Sequence, residues 1–158
     1  METVIQVLTY KSVETILAVG GTQSWTVDRF RAKACKYAVC CRNAHAPDVE
    51  SIEVHGSAFL VGKVADVVPS TDHDGRWLIL FSEYALIAVR DQWEGRNPVR
   101  FYNVEDYAKS IDFENLEWES MPEALSLKEE SITLALAKQR LAATFGVDPS
   151  AVEITIRG

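Results

Sequence analysis

The chain has 158 residues, of which 47% are hydrophobic and 25% are charged, and its formal net charge at pH 7 is −7. This length and composition are typical of one soluble globular domain that can bury a proper core. The densest apolar runs, 77–81 and 84–89, are too short to span a bilayer, the first residues lack a signal-peptide pattern, and three cysteines, an odd number, argue against a disulfide framework. We therefore expect a cytoplasmic protein without membrane contact.

The first part of the chain combines short helices with β-branched segments. Ser12 is placed to cap a short helix that ends at Gly20. Asp28 is placed to cap a second, basic helical turn that runs to Lys33. Around these helices, strands are predicted at 4–10, 22–27 and 36–42.

The middle of the chain reads as a set of longer strands, at 58–68, 76–89 and 98–102. Gly62 marks a bulge or a close approach within the first of them. The tip Asp72-His73-Asp74-Gly75 favours a hairpin between the first two strands. From 104 to 121 the pattern weakens, with helical turns at 104–110.

The end of the chain shows a clear pattern again. After Met121-Pro122 we expect a helix that ends before Gly146 and begins near Ser126 or Thr133, followed by a strand at 152–156. The sum is an α+β domain built on a mostly antiparallel sheet or a partly open small β-barrel. We expect a β-rich core domain at 1–120, with a C-terminal helix-turn-strand appendage at 121–158 packed on it.

The charges are distributed unevenly along the chain. Residues 105–130 hold nine of the 23 acidic residues but two of the 16 bases, so this stretch accounts for the whole net charge of −7. By contrast, 29–42 contains five bases and no acid. Both segments are candidate contact surfaces, and it stays open whether they pair with each other in a homodimer.

Aromatic residues accompany the basic segment. Trp25 precedes it and Tyr37 lies within it, and basic side chains beside an aromatic platform favour phosphate contact with base stacking. A loop that carries Trp93, Arg96 and Asn97 between Arg90 and Arg100 repeats this composition. The alternative is a solvated face with core tryptophans. The predicted nucleic-acid-binding residues are Trp25, Arg29, Arg31, Lys33, Lys36, Arg42, Trp93, Arg96 and Asn97.

The acidic segment interleaves carboxylates with apolar side chains at Phe113, Leu116 and Trp118. Such a surface can engage a basic protein, with aromatics as anchors and carboxylates as steering charges. The alternative is an exposed edge kept soluble by charge. The predicted partner-binding residues are Asp112, Glu114, Glu117, Trp118 and Glu119.

Catalytic and metal chemistry finds little support. A zinc site built from the cysteines with His45 and His55 conflicts with strand geometry, because the adjacent Cys40 and Cys41 would point to opposite faces. We predict no metal and no cofactor. A spatial arrangement of Ser24 or Ser82 with a histidine stays open, although we expect a non-enzymatic protein.

Four segments carry a family resemblance: QSWTV at 23–27, KYAVCCRN at 36–43, AFLVGKVADVV at 58–68 and RWLILF at 76–81. Together they resemble PUA-like barrels of the EVE and ASCH type, over about residues 20–102. Those domains often contain a strand with the pattern hydrophobic-Gly-x-Val-x-x-Val, which 60–68 resembles. The resemblance implies a module that binds RNA or a modified nucleobase, with the tail from Leu127 as an addition.

Two functions follow from these features. The leading prediction is a small binding module that contacts RNA, DNA or a modified base through the basic segment. The alternative is an acidic inhibitor that binds a basic protein through 105–130, of the nucleic-acid-mimic or anti-defence type found in mobile elements, such as an anti-CRISPR.

Overall fold

A computed structural model describes residues 3–93, 95–107 and 110–122. Its strands are β1 (Val4–Thr9), β2 (Gly21–Trp25), β3 (Tyr37–Arg42), β4 (Ala58–Pro69), β5 (Trp77–Val89), β6 (Val99–Tyr102) and β7 (Glu119–Ser120). Its helices are α1 (Val13–Val19), α2 (Arg29–Lys33) and α3 (Val104–Tyr107), with a 3-10 turn at Phe113–Asn115.

The strands form one sheet in the order β2-β5-β4-β3-β1-β6, and β7 pairs with β5. Every pairing is antiparallel except that of β1 with β3, which runs parallel from Val4 opposite Tyr37 to Thr9 opposite Arg42. The chain from β1 to β3 passes through α1, β2 and α2, a crossover long enough for parallel pairing. The result is a curled half-barrel with few helices, which confirms the α+β class with a mostly antiparallel sheet.

The predicted helix ends are confirmed. The Ser12 hydroxyl accepts a hydrogen bond from the Thr15 amide at 3.2 Å, and Gly20 ends α1 in the left-handed conformation with φ 90°. Asp28 caps α2 by accepting from the Arg31 amide at 3.0 Å. These three residues act locally, which is why the sequence alone locates both helices.

Gly62 on β4 also behaves as predicted. A Cβ at this position would clash with the Phe81 ring on β5, and the pairing of the two strands shifts register between Gly62 and Val64. The missing side chain therefore allows β4 to bend over a buried aromatic ring. The same two strands form the predicted hairpin around residues 70–75.

The sheet is covered on both faces. Side chains of β1 and β3 alternate between two cores, with Ile5 and Cys40 in the first and Val4 and Cys41 in the second. Helices α1 and α2 pack on the first core, and α3 with the segment 111–118 packs on the second. The adjacent cysteines therefore lie on opposite faces, as strand geometry predicts.

The chain divides into two units, Met1–Met121 and Pro122–Gly158, and the first contains every strand and helix given above. The predicted C-terminal helix, the strand at 152–156 and their packing on the core lie outside the described residues. Within the described part, no helix has the length and apolar character needed to cross a membrane.

Candidate functional site

Helix α2 presents a basic surface, which we define as Arg29, Phe30, Arg31 and Lys33. Its buried position is Ala32, which packs into the first core. Arg29 Nε donates to the Val67 carbonyl at 3.1 Å, and Lys33 Nζ lies 3.3 Å from an Asp66 carboxylate oxygen. Both bases therefore reach the same end of β4, as their four-residue spacing predicts.

Aromatic rings hold the two arginines of this surface. The Arg29 guanidinium lies 5.4 Å from the Trp77 ring centroid, and that of Arg31 lies 3.9 Å from the Phe101 ring centroid. Phe30 stands between them with 78% of its surface exposed. Cation–π contacts of this kind fix the planes of the guanidinium groups before any ligand arrives.

Trp25 is not the exposed platform that the sequence suggests. It is buried, with 9% exposure, and packs in the first core. Its indole Nε1 donates to the Thr22 hydroxyl at 3.0 Å. The exposed aromatic residue of this surface is instead Phe30, which the sequence analysis did not identify. The sequence signal that points to it is Ala32: in so short a helix, the small apolar Ala32 occupies the buried position, and Phe30 is left at the surface.

Arg42 is also misplaced by the sequence prediction, because its side chain is fully buried. Its Nε lies 3.3 Å from a Glu53 carboxylate oxygen. Its Nη1 donates to the carbonyls of Thr9 at 3.1 Å and Lys11 at 2.6 Å, and its Cζ lies 4.0 Å from the Phe59 ring centroid. Arg42 therefore ties the ends of β1 and β3 to the following loop and cannot meet a phosphate at the surface.

The other predicted nucleic-acid residues lie apart from α2. Lys36 is exposed, with its Nζ 5.3 Å from the ring centroid of Tyr37 in the second core. Arg96 and Asn97 are exposed in the loop before β6. Trp93 is half-buried against the second core, with the Arg100 guanidinium 5.6 Å from its ring centroid. The Trp93 indole therefore packs on the second core, whereas the basic surface of α2 packs on the first, and the two do not form one site.

The acidic segment is held against the second face by its aromatic residues. The Phe113 ring stacks on Tyr37 at 4.5 Å between centroids, and the Trp118 ring stacks on Tyr37 at 5.8 Å. Trp118 Nε1 donates to the Phe113 carbonyl at 3.3 Å, and Lys63 Nζ lies 4.6 Å from the Trp118 ring centroid. Trp118 therefore anchors the segment to its own sheet, and its contact with a partner stays a prediction.

The carboxylates of this segment point outward and define the acidic surface: Asp112, Glu114, Glu117 and Glu119, all exposed. Glu119 hydrogen-bonds to Tyr84, and this contact, with burial and the negative charge, raises the pKa of the tyrosine. No lysine or arginine in the described part of the chain forms an ion pair with the first three carboxylates. In the described part of the chain, the surface thus displays negative charge that no neighbouring lysine or arginine neutralises.

Among the described residues, Ser24, Asp72 and His73 lie close together and combine the side-chain types of a serine relay. His73 Nδ1 lies 3.2 Å from Ser24 Oγ and 3.0 Å from Asp72 Oδ1, and Ser24 also hydrogen-bonds directly to Asp72. A serine relay needs the two ring nitrogens on different partners, whereas here one nitrogen meets both. The hydrogen bond from Ser24 leads the contacts that hold the pKa of Asp72 far below its usual range. The cluster therefore fastens the hairpin tip to β2, where Ser24 has a left-handed φ of 76°.

The cysteines are arranged as core residues. Burial raises the pKa of Cys41 to about 12 and raises that of Cys40 as well, so both thiols are neutral at physiological pH. His45 and His55 stack on each other with ring centroids 3.8 Å apart. In the part of the chain that the structure describes, no three histidine, cysteine or acidic side chains meet in an arrangement that could hold a metal ion.

No family model, no curated protein and no solved structure gives a match to the chain. The resemblance to PUA-like barrels therefore stays a prediction, and function has to be inferred from the geometry of the basic and acidic surfaces.

Proposed function

We propose that the protein is a non-enzymatic module that binds single-stranded nucleic acid through the basic surface of α2. The observation that carries this proposal is the exposed ring of Phe30, 78% accessible between two arginines whose guanidinium groups rest on aromatic rings. A large apolar ring exposed among charges gains by stacking on a base, because every base offers an apolar face.

The arginines and lysine supply the phosphate contacts. Arg29 and Arg31 are already oriented, so less side-chain entropy is lost when a phosphate binds. Lys33 would exchange its contact with Asp66 for a phosphate. That exchange costs little, since the two side chains are 51% and 43% exposed and exposed ion pairs stabilise weakly.

Affinity should be modest and should depend steeply on salt. The net charge of −7 repels phosphates at long range, whereas each phosphate contact releases condensed counterions. A local site on an acidic protein therefore binds well at low ionic strength and poorly at high ionic strength.

Fluorescence anisotropy with RNA and DNA oligonucleotides at low salt tests the proposal. Phe30→Ala should weaken binding about fivefold or more, the equivalent of about 1–3 kcal/mol for a stacked base. Ile52→Ala is the matched control, because Ile52 is 99% exposed and lies outside the basic surface. Binding that is absent up to about 100 μM, or equal in Phe30→Ala and the wild type, would refute the proposal.

The acidic surface favours a second function, binding of a basic protein. The segment that carries its carboxylates is held on the sheet by the stacking of Phe113 and Trp118 on Tyr37. A partner therefore meets a backbone that is already folded, as an inhibitor that mimics nucleic acid would require. Glu114→Lys with Glu117→Lys should slow association with a partner purified from the native cell, chiefly through kon. Unchanged association kinetics would exclude this surface.

A further inference from the structure

A polar pocket of about 310 Å³ lies beside the edge strand β6, apart from the basic surface. It is built where the end of β5, strand β6 and helix α3 meet, and its polar lining comprises Asp91, Gln92, Arg100, Tyr102, Asp106 and Ser110. The volume lies at the small end of the range for ligand-binding cavities. Neither the nucleic-acid proposal nor the acidic surface uses it.

Arg100 is the fixed cation of this pocket. Its Nη1 donates to the Tyr102 hydroxyl at 3.2 Å, and its Cζ lies 5.6 Å from the Trp93 ring centroid. The Arg100 Nη2 lies in the space that a Cβ on Gly95 would occupy. No carboxylate in the described part of the chain lies within ion-pair distance of it. A guanidinium that has no carboxylate partner among the described residues matches a carboxylate ligand.

Two carboxylates, Asp91 and Asp106, line the same pocket without a cationic partner among the described residues. Asp91 adopts a left-handed backbone with φ 56°, a conformation that costs free energy for a residue other than glycine. Among the described residues, the lining thus offers one positively and two negatively charged side chains.

A buried amide beneath the pocket adds an unpaired acceptor. Gln6 is fully buried and pairs across the sheet with Arg100. Its Nε2 donates to the Gln92 carbonyl and, at 3.2 Å, to the Cys41 sulfur, whereas its Oε1 has no partner. Buried polar atoms are rarely left unpaired in folded proteins, so an ordered water is expected at this acceptor, next to the residues that line the pocket.

We propose that the pocket binds a small zwitterion, with the chemistry of a free α-amino acid. The ligand's carboxylate would pair with Arg100, and its ammonium group would pair with Asp91 and Asp106. Tyr102 and Ser110 add hydroxyl groups that can bond either end. Because the described lining has two carboxylates for one guanidinium, it favours a ligand with an extra positive charge, such as lysine or arginine, over a phosphate.

Isothermal titration calorimetry of the full chain with free lysine, arginine, leucine and glutamate tests the proposal. We expect a Kd below about 1 mM for a basic amino acid. Arg100→Gln and Asp106→Asn should each weaken it about tenfold or more, because each removes a charge-assisted contact. Arg90→Gln and Asp48→Asn are the charge-matched controls, since both side chains are exposed and neither lines the pocket.

The variants are also compared with the wild type by thermal unfolding, and Arg100→Lys, which keeps the charge but loses the planar fork, gives a second variant at the key position. Weaker binding by both pocket variants with unchanged binding by both controls supports the proposal. Binding of none of the amino acids with a Kd below about 1 mM, or equal binding by wild type and pocket variants, overturns it. The oligonucleotide experiments with Phe30→Ala are independent of each of these results.

Discussion

Replacement of Arg42 by Met is the sharpest test of the structure, because the sequence suggests a surface residue and the fold places it inside. The substitution removes the guanidinium from Glu53 and from the carbonyls of Thr9 and Lys11. Loss of one partner of a buried ion pair costs about 3–5 kcal/mol. Since Glu53 is 29% exposed and regains water, we expect about 3 kcal/mol, near the lower end of that range.

Such a loss is large against a total stability of about 5–15 kcal/mol for a domain. Urea unfolding followed by tryptophan fluorescence measures it, with Arg90→Met as the matched control at an exposed arginine, where a change within about 0.5 kcal/mol is expected. Glu53→Gln in the Arg42→Met background should recover part of the loss, because the carboxylate is then no longer unpaired.

Two results would refute the reasoning. The first is an Arg42→Met variant whose free energy of unfolding lies within about 0.5 kcal/mol of the wild type at an unchanged m-value. The second is a variant that keeps its stability but loses affinity for oligonucleotides, since that result would place the guanidinium at the binding surface.

Three further outcomes follow from burial. Trp25→Ala should destabilise the fold by about 3–5 kcal/mol, whereas Phe30→Ala should stay within about 0.5 kcal/mol; similar losses in urea would contradict their placement. Burial, and to a lesser extent the neighbouring His45, lowers the pKa of His55 in the folded protein. The free energy of unfolding should therefore fall as the pH drops below about 6.5, the pKa of histidine in the unfolded chain. Thermal unfolding between pH 5 and 8 should show a smaller loss of stability on acidification for His45→Ala than for the wild type. An equal loss in both proteins would count against the stacking of His45 on His55. Cys41, with its pKa raised to about 12, should react with a thiol reagent at pH 8 only after unfolding.

Local signals and long-range packing explain which sequence predictions succeeded. The caps of α1 and α2 depend on residues within four positions, and Ser12, Gly20 and Asp28 act as expected. The short strand β7 was not predicted, because Glu119–Ser120 becomes a strand only by pairing with Glu83 and Tyr84 of β5. No local pattern contains that pairing.

The predicted exposure of Arg42 is wrong because both faces of the sheet are covered. A strand with one solvent-exposed face alternates polar and apolar residues. The charged Arg42 at the end of β3 therefore suggests an exposed position. In the structure every residue of β3 is buried, including Arg42. Composition indicates a basic surface on α2, but the identity of its exposed aromatic residue depends on how α2 packs on the first core.

The placement of the two surfaces also limits how copies of the chain could associate. Ala32 of α2 packs on the first core, whereas Phe113 and Trp118 pack on the second, so the basic and acidic surfaces lie on opposite faces of one sheet. A two-fold interface pairs one patch with itself and cannot include both faces. Association through opposite charges would instead run head to tail and would continue beyond two copies. Sedimentation at low salt should therefore give a monomer or an open-ended series that disperses as salt rises, and a discrete dimer that dissociates with salt would show that the surfaces meet in another way.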